Sequence, residues 1–197
     1  MTEIIDLGAE PGAARIAGAV VGESFHALQV SLWTIPPEDD RRALLPGFFA
    51  LHAAHALTHG EIAATADRTA VAVWFDNRNP PLPPVPGLEE YVGEMKPDYA
   101  ERFMALGEEM ERRHPGTPHH YLALLAVLPG HQGHGLGSLL LERHHRRLDA
   151  EGIAAYLEAS NVNSRRLYLR HGYEDLGEPL RLPGGPPMFP MWRPPKP

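Results

Sequence analysis

The stretch that most constrains this chain lies in its second half. There Tyr121 to Leu128 is a nearly continuous apolar run, and Gly130 to Gly137 follows it as a glycine-rich turn. An apolar run of this length, ended by Pro129 and Gly130, predicts a strand buried on both faces at the centre of a sheet. Ser138 to Glu151 then places Leu140, His144 and Leu148 four apart on one helical face, and Gly152 suits the helix C-terminal cap. A glycine loop between a buried strand and a helix leaves backbone N–H groups unpaired at the positive end of the helix dipole. The loop is therefore an anion cradle by construction, with a tight turn that binds nothing as the plainer alternative.

The remaining elements follow from periodicity and punctuation. Ile16, Val20, Val21 and Phe25 predict a first helix, and Pro37 with Glu38, Asp39 and Asp40 starts a second, in which Pro46 predicts a break or kink. Glu61 to Ala66 and Ala70 to Phe75 read as a hairpin turning at Asp67 and Arg68. Asn77 to Gly87 is proline-rich and irregular, and Asp98 to His114 carries Tyr99, Phe103, Leu106 and Met110 at amphipathic spacing. A loop plus helix insertion at about 77–117 within a single domain spanning 1–197 is the expected organisation. After the glycine loop, Ile153 to Ala159 predicts a strand, Val162 to His171 a helix stopped by Gly172, and Tyr173 onward a last strand or hairpin.

Composition removes several functions. The chain has 197 residues and no cysteine, which excludes disulfides, thiolate metal sites and a cysteine nucleophile. A formal net charge of −7 without a long basic block disfavours nucleic acid as a partner. The N-terminal residues show no signal-peptide pattern and no stretch is long and apolar enough to span a membrane, so a cytoplasmic enzyme is expected. His52, His55 and His59 share one side of the second helix, but no carboxylate joins them at that spacing, so packing or acceptor contacts are expected and metal is not. His144 and His145 are expected to be a solvated pair, while Phe48, Phe49 and Trp74 are expected in the core.

Dinucleotide-binding loops use related physics, but they normally follow the first strand of a βαβ unit, whereas this loop comes late and has the form Gln132-x-x-Gly135-x-Gly137. In that form, between strand and helix, it resembles the pyrophosphate-binding motif of GNAT acetyltransferases. A second stretch, Leu157-Glu158-Ala159-Ser160-Asn161 through Leu167-Tyr168 to Gly172-Tyr173, resembles that family's strand, Asn-x-x-Ala and Leu-Tyr-x-x-x-Gly-Phe pattern. More narrowly, Ala70-Val71-Ala72-Val73-Trp74 and Met191-Trp192-Arg193 look similar to puromycin N-acetyltransferase and its relatives.

The resemblance implies an α/β fold of the α+β type: a mixed, mostly antiparallel sheet with a splayed strand pair and helices on both faces. It also implies acetyl-CoA as co-substrate, no metal, and a small-molecule amine as acceptor, in a pocket formed by the elements before the hairpin, where Phe48 and Phe49 lie. A protein N-terminal or lysine acetyltransferase and a non-catalytic CoA-binding domain are the alternatives, and a homodimer is compatible with either. Leu125, Ala126 and Val127 would pair through their backbones with the pantetheine arm. Gln132, Gly133, His134, Gly135, Leu136 and Gly137, with Ser138, would hold the pyrophosphate; His134 would either take up a proton as it binds or point its ring away and contribute only its backbone N–H. Tyr168 matches the tyrosine that protonates the departing thiolate, with a core tyrosine as the alternative. Asn161 is either a cofactor contact or an N-cap. Ser164 stands where the family often has Ala, and Arg165 could face the cofactor's phosphate end. Glu158 could be the base, directly or through water, or a solvent-facing strand-end residue.

Overall fold

The computed structural model describes residues 2–79 and 81–196. Its strands are β1 (Ile4–Asp6), β2 (Gly60–Thr65), β3 (Ala70–Asn77), β4 (His119–Val127), β5 (Ala155–Ala159), β6 (Glu174–Asp175) and β7 (Phe189–Arg193). They form one sheet in the order β1-β2-β3-β4-β5-β7-β6, in which only the β4–β5 pair is parallel. The apolar run Tyr121 to Leu128 thus supplies the central strand, as expected. Pairing of β4 with β5 is confined to His120 with Ala155 and Tyr121 with Tyr156. Beyond these residues the two strands part, which is the splayed pair that the resemblance implies.

A bulge sits at the same place. Val73 pairs with Leu124 and Trp74 with Leu122, so Ala123 is an extra residue on β4. Its effect is to keep alternate side chains on the correct faces across the irregularity. Leu122 joins Trp74, Leu140, Leu148 and Leu157 on one face, while Leu124 joins Val71, Val73 and Phe75 on the other.

Helices α1 (Ala13–Phe25), α2 (Gln29–Thr34), α3 (Glu38–His59), α4 (Leu88–Gly93), α5 (Pro97–Arg113), α6 (Leu136–Glu151) and α7 (Val162–Arg170) cover both faces. Residues of α1, α3, α4 and α5 share the core with Val71 and Phe75, and α6 packs on the opposite face. Among the described residues no helix is long and apolar enough to cross a membrane.

Of the break or kink expected at Pro46, the break does not occur: α3 runs through it. Here α1 lies against α3 so closely that a Cβ on Gly18 would come within 2.5 Å of the Pro46 carbonyl oxygen and one on Gly22 within 2.9 Å of its ring. Packing of α1 against the proline holds the helix in one piece where local propensity alone would interrupt it. The six-residue α2 and α4 were not expected, being too short to carry a periodic signal.

His144 and His145 are buried, not solvated. They occupy the same face of α6 as Leu141 and Leu148, which the sheet covers. His144 stacks on Trp74 with ring centroids 3.8 Å apart, and its ring nitrogens lie 2.6 Å from Glu61 Oε1 and 3.2 Å from His120 Nδ1. His145 Nε2 lies 3.1 Å from the Tyr173 hydroxyl.

The end of the chain is fastened to α6 by a buried charge. Arg193 on β7 donates from Nη1 and Nη2 to the two carboxylate oxygens of Asp149, each at 2.7 Å, and Asp149 also accepts from the Lys196 backbone N–H. The Arg193 side chain is 2% exposed. Its hydrogen bonds hold the Asp149 carboxyl at about 2, below the ordinary 3.8. Asp149→Ala would leave that guanidinium buried without a counter-charge, and a loss of about 3 kcal/mol is expected in urea unfolding at pH 7. Because the folded pKa is depressed, the contribution is present in full above the unfolded value and disappears as pH falls toward about 2. Wild type and variant should therefore converge in stability in strong acid.

Candidate active site

The parting of β4 and β5 opens onto a cleft of about 1830 Å³. One end is formed by the glycine loop, the free edge of β4 and α7. The other is a chamber walled by Phe25, Phe48 and Phe49 of α1 and α3 and by Phe103 and Met110 of α5, with Pro81 to Val85 alongside. Glu158, Tyr121 and Tyr168 line the cleft as well.

At the first end, Leu122 to Val127 has no strand partner on the β5 side. Gly130, Gly133 and Gly135 adopt φ of 83°, 79° and 81°, so each turn of the loop uses a conformation that disfavours side chains. The loop is held to the strand by Gln132, whose Nε2 donates to the Val127 carbonyl at 3.1 Å. Gly137, the second residue of α6, lacks positive φ, but a Cβ there would stand 3.6–3.9 Å from Leu167, Leu125 and Val127, side chains that line the slot. A narrow groove bordered by an unpaired strand edge and a helix N-terminus suits an extended chain ending in phosphates.

Where the strands part stands Glu158. Tyr156 and Glu158 alternate with Leu157 along β5, so both face the side on which Tyr121 lies. Burial raises the Glu158 carboxyl from its ordinary 4.5 to about 7, against the lowering effect of the neighbouring Tyr121 and Tyr156 hydroxyls. Those hydroxyls do not close a hydrogen bond: among the described residues, Glu158 Oε1 and the Tyr156 hydroxyl are buried and unpartnered. Burial also pushes both tyrosines up, so they remain neutral. A buried carboxyl near 7 with an open acceptor oxygen can take a proton from a bound group.

On α7, Tyr168 is buried, with its ring 5.7 Å from that of Tyr173, and burial raises its pKa. Asn161 is the helix N-cap. Its Oδ1 accepts from the backbone N–H of Asn163 and Ser164 at 2.9 Å, and the Ser164 hydroxyl lies 3.2 Å from the Asn161 nitrogen. Both also line the cleft. Arg165 is paired with Asp175 on β6 and lies over the Phe189 ring. Ser138 is bonded to His171 at 2.9 Å.

The sequence model described as "Acetyltransferase (GNAT) family" matches residues 23–173. The chain belongs to the GNAT acetyltransferase family. Its fold is similar to that of a solved structure from Corynebacterium glutamicum described as histone acetyltransferase HPA2 and related acetyltransferase. The TM-score is 0.72 and the identity 27%, over 99% of this chain and 97% of that one. Arylalkylamine N-acetyltransferase 2 from Aedes aegypti matches with a TM-score of 0.62 at 12% identity, over 99% of each chain. The ribosomal-protein-S18-alanine N-acetyltransferase of Escherichia coli matches at 0.56 and 18%, over 99% of this chain and 94% of that one. At such identities the last two likenesses concern the fold alone.

Within this GNAT cleft, the structure brings Leu125, Ala126, Val127, Gln132, Gly133, Gly135, Leu136, Gly137, Ser138, Glu158, Asn161, Ser164 and Tyr168 to one surface. His134 is the exception. Its exposed ring turns back on the loop, with Nδ1 3.3 Å from the His131 carbonyl oxygen, and it is His131 that lines the cleft. His52 and His55 line the chamber, and the described residues hold no group of three or more His, Asp or Glu able to bind a metal. Sequence reasoning passed over Tyr121 and Tyr156. The period-two alternation that puts Tyr156 on the same face as Glu158 was the available signal.

The raised carboxyl has a cost that can be measured. A folded-state pKa above the unfolded value means that Glu158 stabilises the fold only below the unfolded value near 4.5, an advantage lost as pH rises toward about 7. Glu158→Gln keeps the shape without the charge. It should therefore match wild type near pH 4.5 and exceed it at pH 8, by up to about 3 kcal/mol in denaturant unfolding. Equal stability at both pH values would show that the carboxyl is solvated.

Proposed function

We propose that this GNAT protein transfers an acetyl group from acetyl-CoA to a primary amine of a small molecule, by direct attack in a ternary complex. The observation that carries the reading is Glu158: a half-buried side chain lining the cleft where β4 and β5 part, with one carboxyl oxygen buried and without a partner among the described residues. Bound acetyl-CoA would supply an acetyl group activated as a thioester and a thiol leaving group.

The residues divide the remaining work. Backbone groups of Leu125, Ala126 and Val127 would align the pantetheine arm, and the amides from Gln132 through Gly137, with Ser138, would hold the pyrophosphate. Asn161 and Ser164 would reach the same arm from the start of α7 while capping that helix. Glu158 would take the proton from the amine nitrogen as the new C–N bond forms. Tyr168 would give a proton to the sulfur as the C–S bond breaks. With its pKa raised by burial, the Tyr168 hydroxyl stays protonated at neutral pH and available as a donor.

The narrower likeness to puromycin N-acetyltransferase does not bear on the acceptor. Ala70 to Trp74 and Met191 to Arg193 lie in β3 and β7, outside the cleft lining.

The test follows free thiol released from acetyl-CoA with a panel of amines. Thiol release well above the amine-free background is expected, with kcat/KM rising as pH passes through about 7. Glu158→Gln should lose about 10²-fold or more and flatten that rise. Tyr168→Phe should lower kcat by about 10²-fold with little change in acetyl-CoA affinity; unchanged turnover would assign the proton to water or another group. Gly137→Val would push a side chain into the slot, so acetyl-CoA affinity measured by calorimetry should weaken about tenfold or more. Native affinity in that variant would remove the slot from the reading.

A further inference from the structure

Resting on that reading, the walls of the chamber narrow the acceptor. Beyond Glu158 the cleft is lined by aromatic rings that already pack on one another. The rings of Phe48 and Phe103 are 4.6 Å apart, Phe48 and Phe49 5.3 Å, and Phe25 and Phe49 5.4 Å. A flat apolar body entering this chamber gains both buried area and ring contacts.

The charge pattern is equally selective. Among the described residues that line the cleft, the sole Lys or Arg is Arg170, in the last turn of α7. The lining acids are Glu89, Glu111 and Glu158, and the first two are exposed to solvent, where their fields are screened. The chamber therefore offers one sheltered carboxylate, at its inner end, and suits one amine. A second ammonium would lie among rings without a sheltered counter-charge, and a peptide would bring amide groups that the rings cannot pair.

One polar atom breaks the apolar wall. A row of rings leads away from Glu158 through Tyr121 and Phe75 to His55 on α3, with neighbouring centroids 6.2 and 5.5 Å apart. His55 is 6% exposed, lines the cleft, and has a buried Nε2 without a partner among the described residues. A buried imidazole nitrogen left unpaired is costly, and a ligand group that reaches it removes the cost. Burial keeps the ring neutral, so it can accept or donate according to tautomer.

We propose that the chamber is the acceptor site for a primary monoamine carried on an aromatic ring, its nitrogen at Glu158 and a ring hydroxyl or ring N–H meeting His55. The test measures thiol release at saturating acetyl-CoA with 2-phenylethylamine, tyramine, spermidine, agmatine and a short peptide with a free N-terminal alanine.

The aromatic amines should exceed the other three in kcat/KM by at least tenfold. Tyramine should exceed 2-phenylethylamine, and His55→Phe should lower kcat/KM for tyramine by more than it lowers that for 2-phenylethylamine, abolishing the preference. Phe103→Leu should raise KM for the aromatic amines several-fold with acetyl-CoA affinity unchanged; unchanged KM would count against the ring wall. The comparison of amines on the native protein needs no variant to fold. Best turnover of spermidine, agmatine or the peptide would overturn the inference while the acetyltransferase reading stands. Equal use of the two aromatic amines would overturn the role of His55. Thiol release with none of the five, from protein that binds acetyl-CoA, would overturn both readings.

Discussion

Most of what this protein can do depends on two strands that begin as partners and then separate. After Tyr121 and Tyr156, β4 and β5 share no further ladder, although both continue, to Val127 and Ala159 respectively. Unpaired backbone inside a fold is unfavourable unless something satisfies it. Only part of the debt is met internally, by Gln132 reaching the Val127 carbonyl. The extra residue Ala123 falls just past the last β4–β5 pair, and a bulge there increases local twist and carries the strand away from its neighbour. The slot, the exposure of the glycine loop to that slot, and the placement of Glu158 between slot and chamber all follow from this separation.

How much of this could be read from sequence depends on the range over which each feature is determined. The β4 run, the glycine loop and α6 are local: apolar continuity, punctuation and periodicity lie within thirty residues, and the structure has them in that order. The mostly antiparallel sheet with its splayed pair and the helices on both faces followed from resemblance, whereas the strand order came only with the structure, since strand pairing is long-range and leaves no local trace.

The site was legible in its backbone part and less so in its side chains. Asn161 could be read either as a cap or as a contact because both uses need an asparagine before a helix, and its bonds to Asn163 and Ser164 make it the cap without removing it from the cleft. His144 looked solvated as half of a charged-looking pair, yet the spacing that puts it in line with Leu140 and Leu148 already placed it against the sheet. Pro46 was misleading for the opposite reason. Its local rule is sound, but the close approach of Gly18 and Gly22 decides the outcome, and nothing within α3 reports on α1.

Burial of Glu158 has a consequence for how acceptor and base share protons. In the free cleft the carboxyl near 7 is about half protonated at neutral pH, whereas a simple alkylamine in water is almost fully protonated. Entry of an ammonium favours the carboxylate, because opposite charges a few ångströms apart stabilise each other. Entry of a free amine suits the protonated acid instead. Both encounters yield the same complex, one nitrogen and one carboxyl holding a single shared proton, so the pair titrates as a unit. The shelter that raises the carboxyl also disfavours the separated charges relative to neutral amine and neutral acid, which is the arrangement with a free lone pair on nitrogen. A solvent-exposed glutamate near its ordinary pKa would hold the ion pair and leave the amine unable to attack. On the proposed reading the aromatic chamber therefore bears on the chemistry as well as on recognition: with water excluded around Glu158, the carboxyl would accept the ammonium proton and free the nucleophile, and it would have to pass that proton on before accepting the one released as the C–N bond forms.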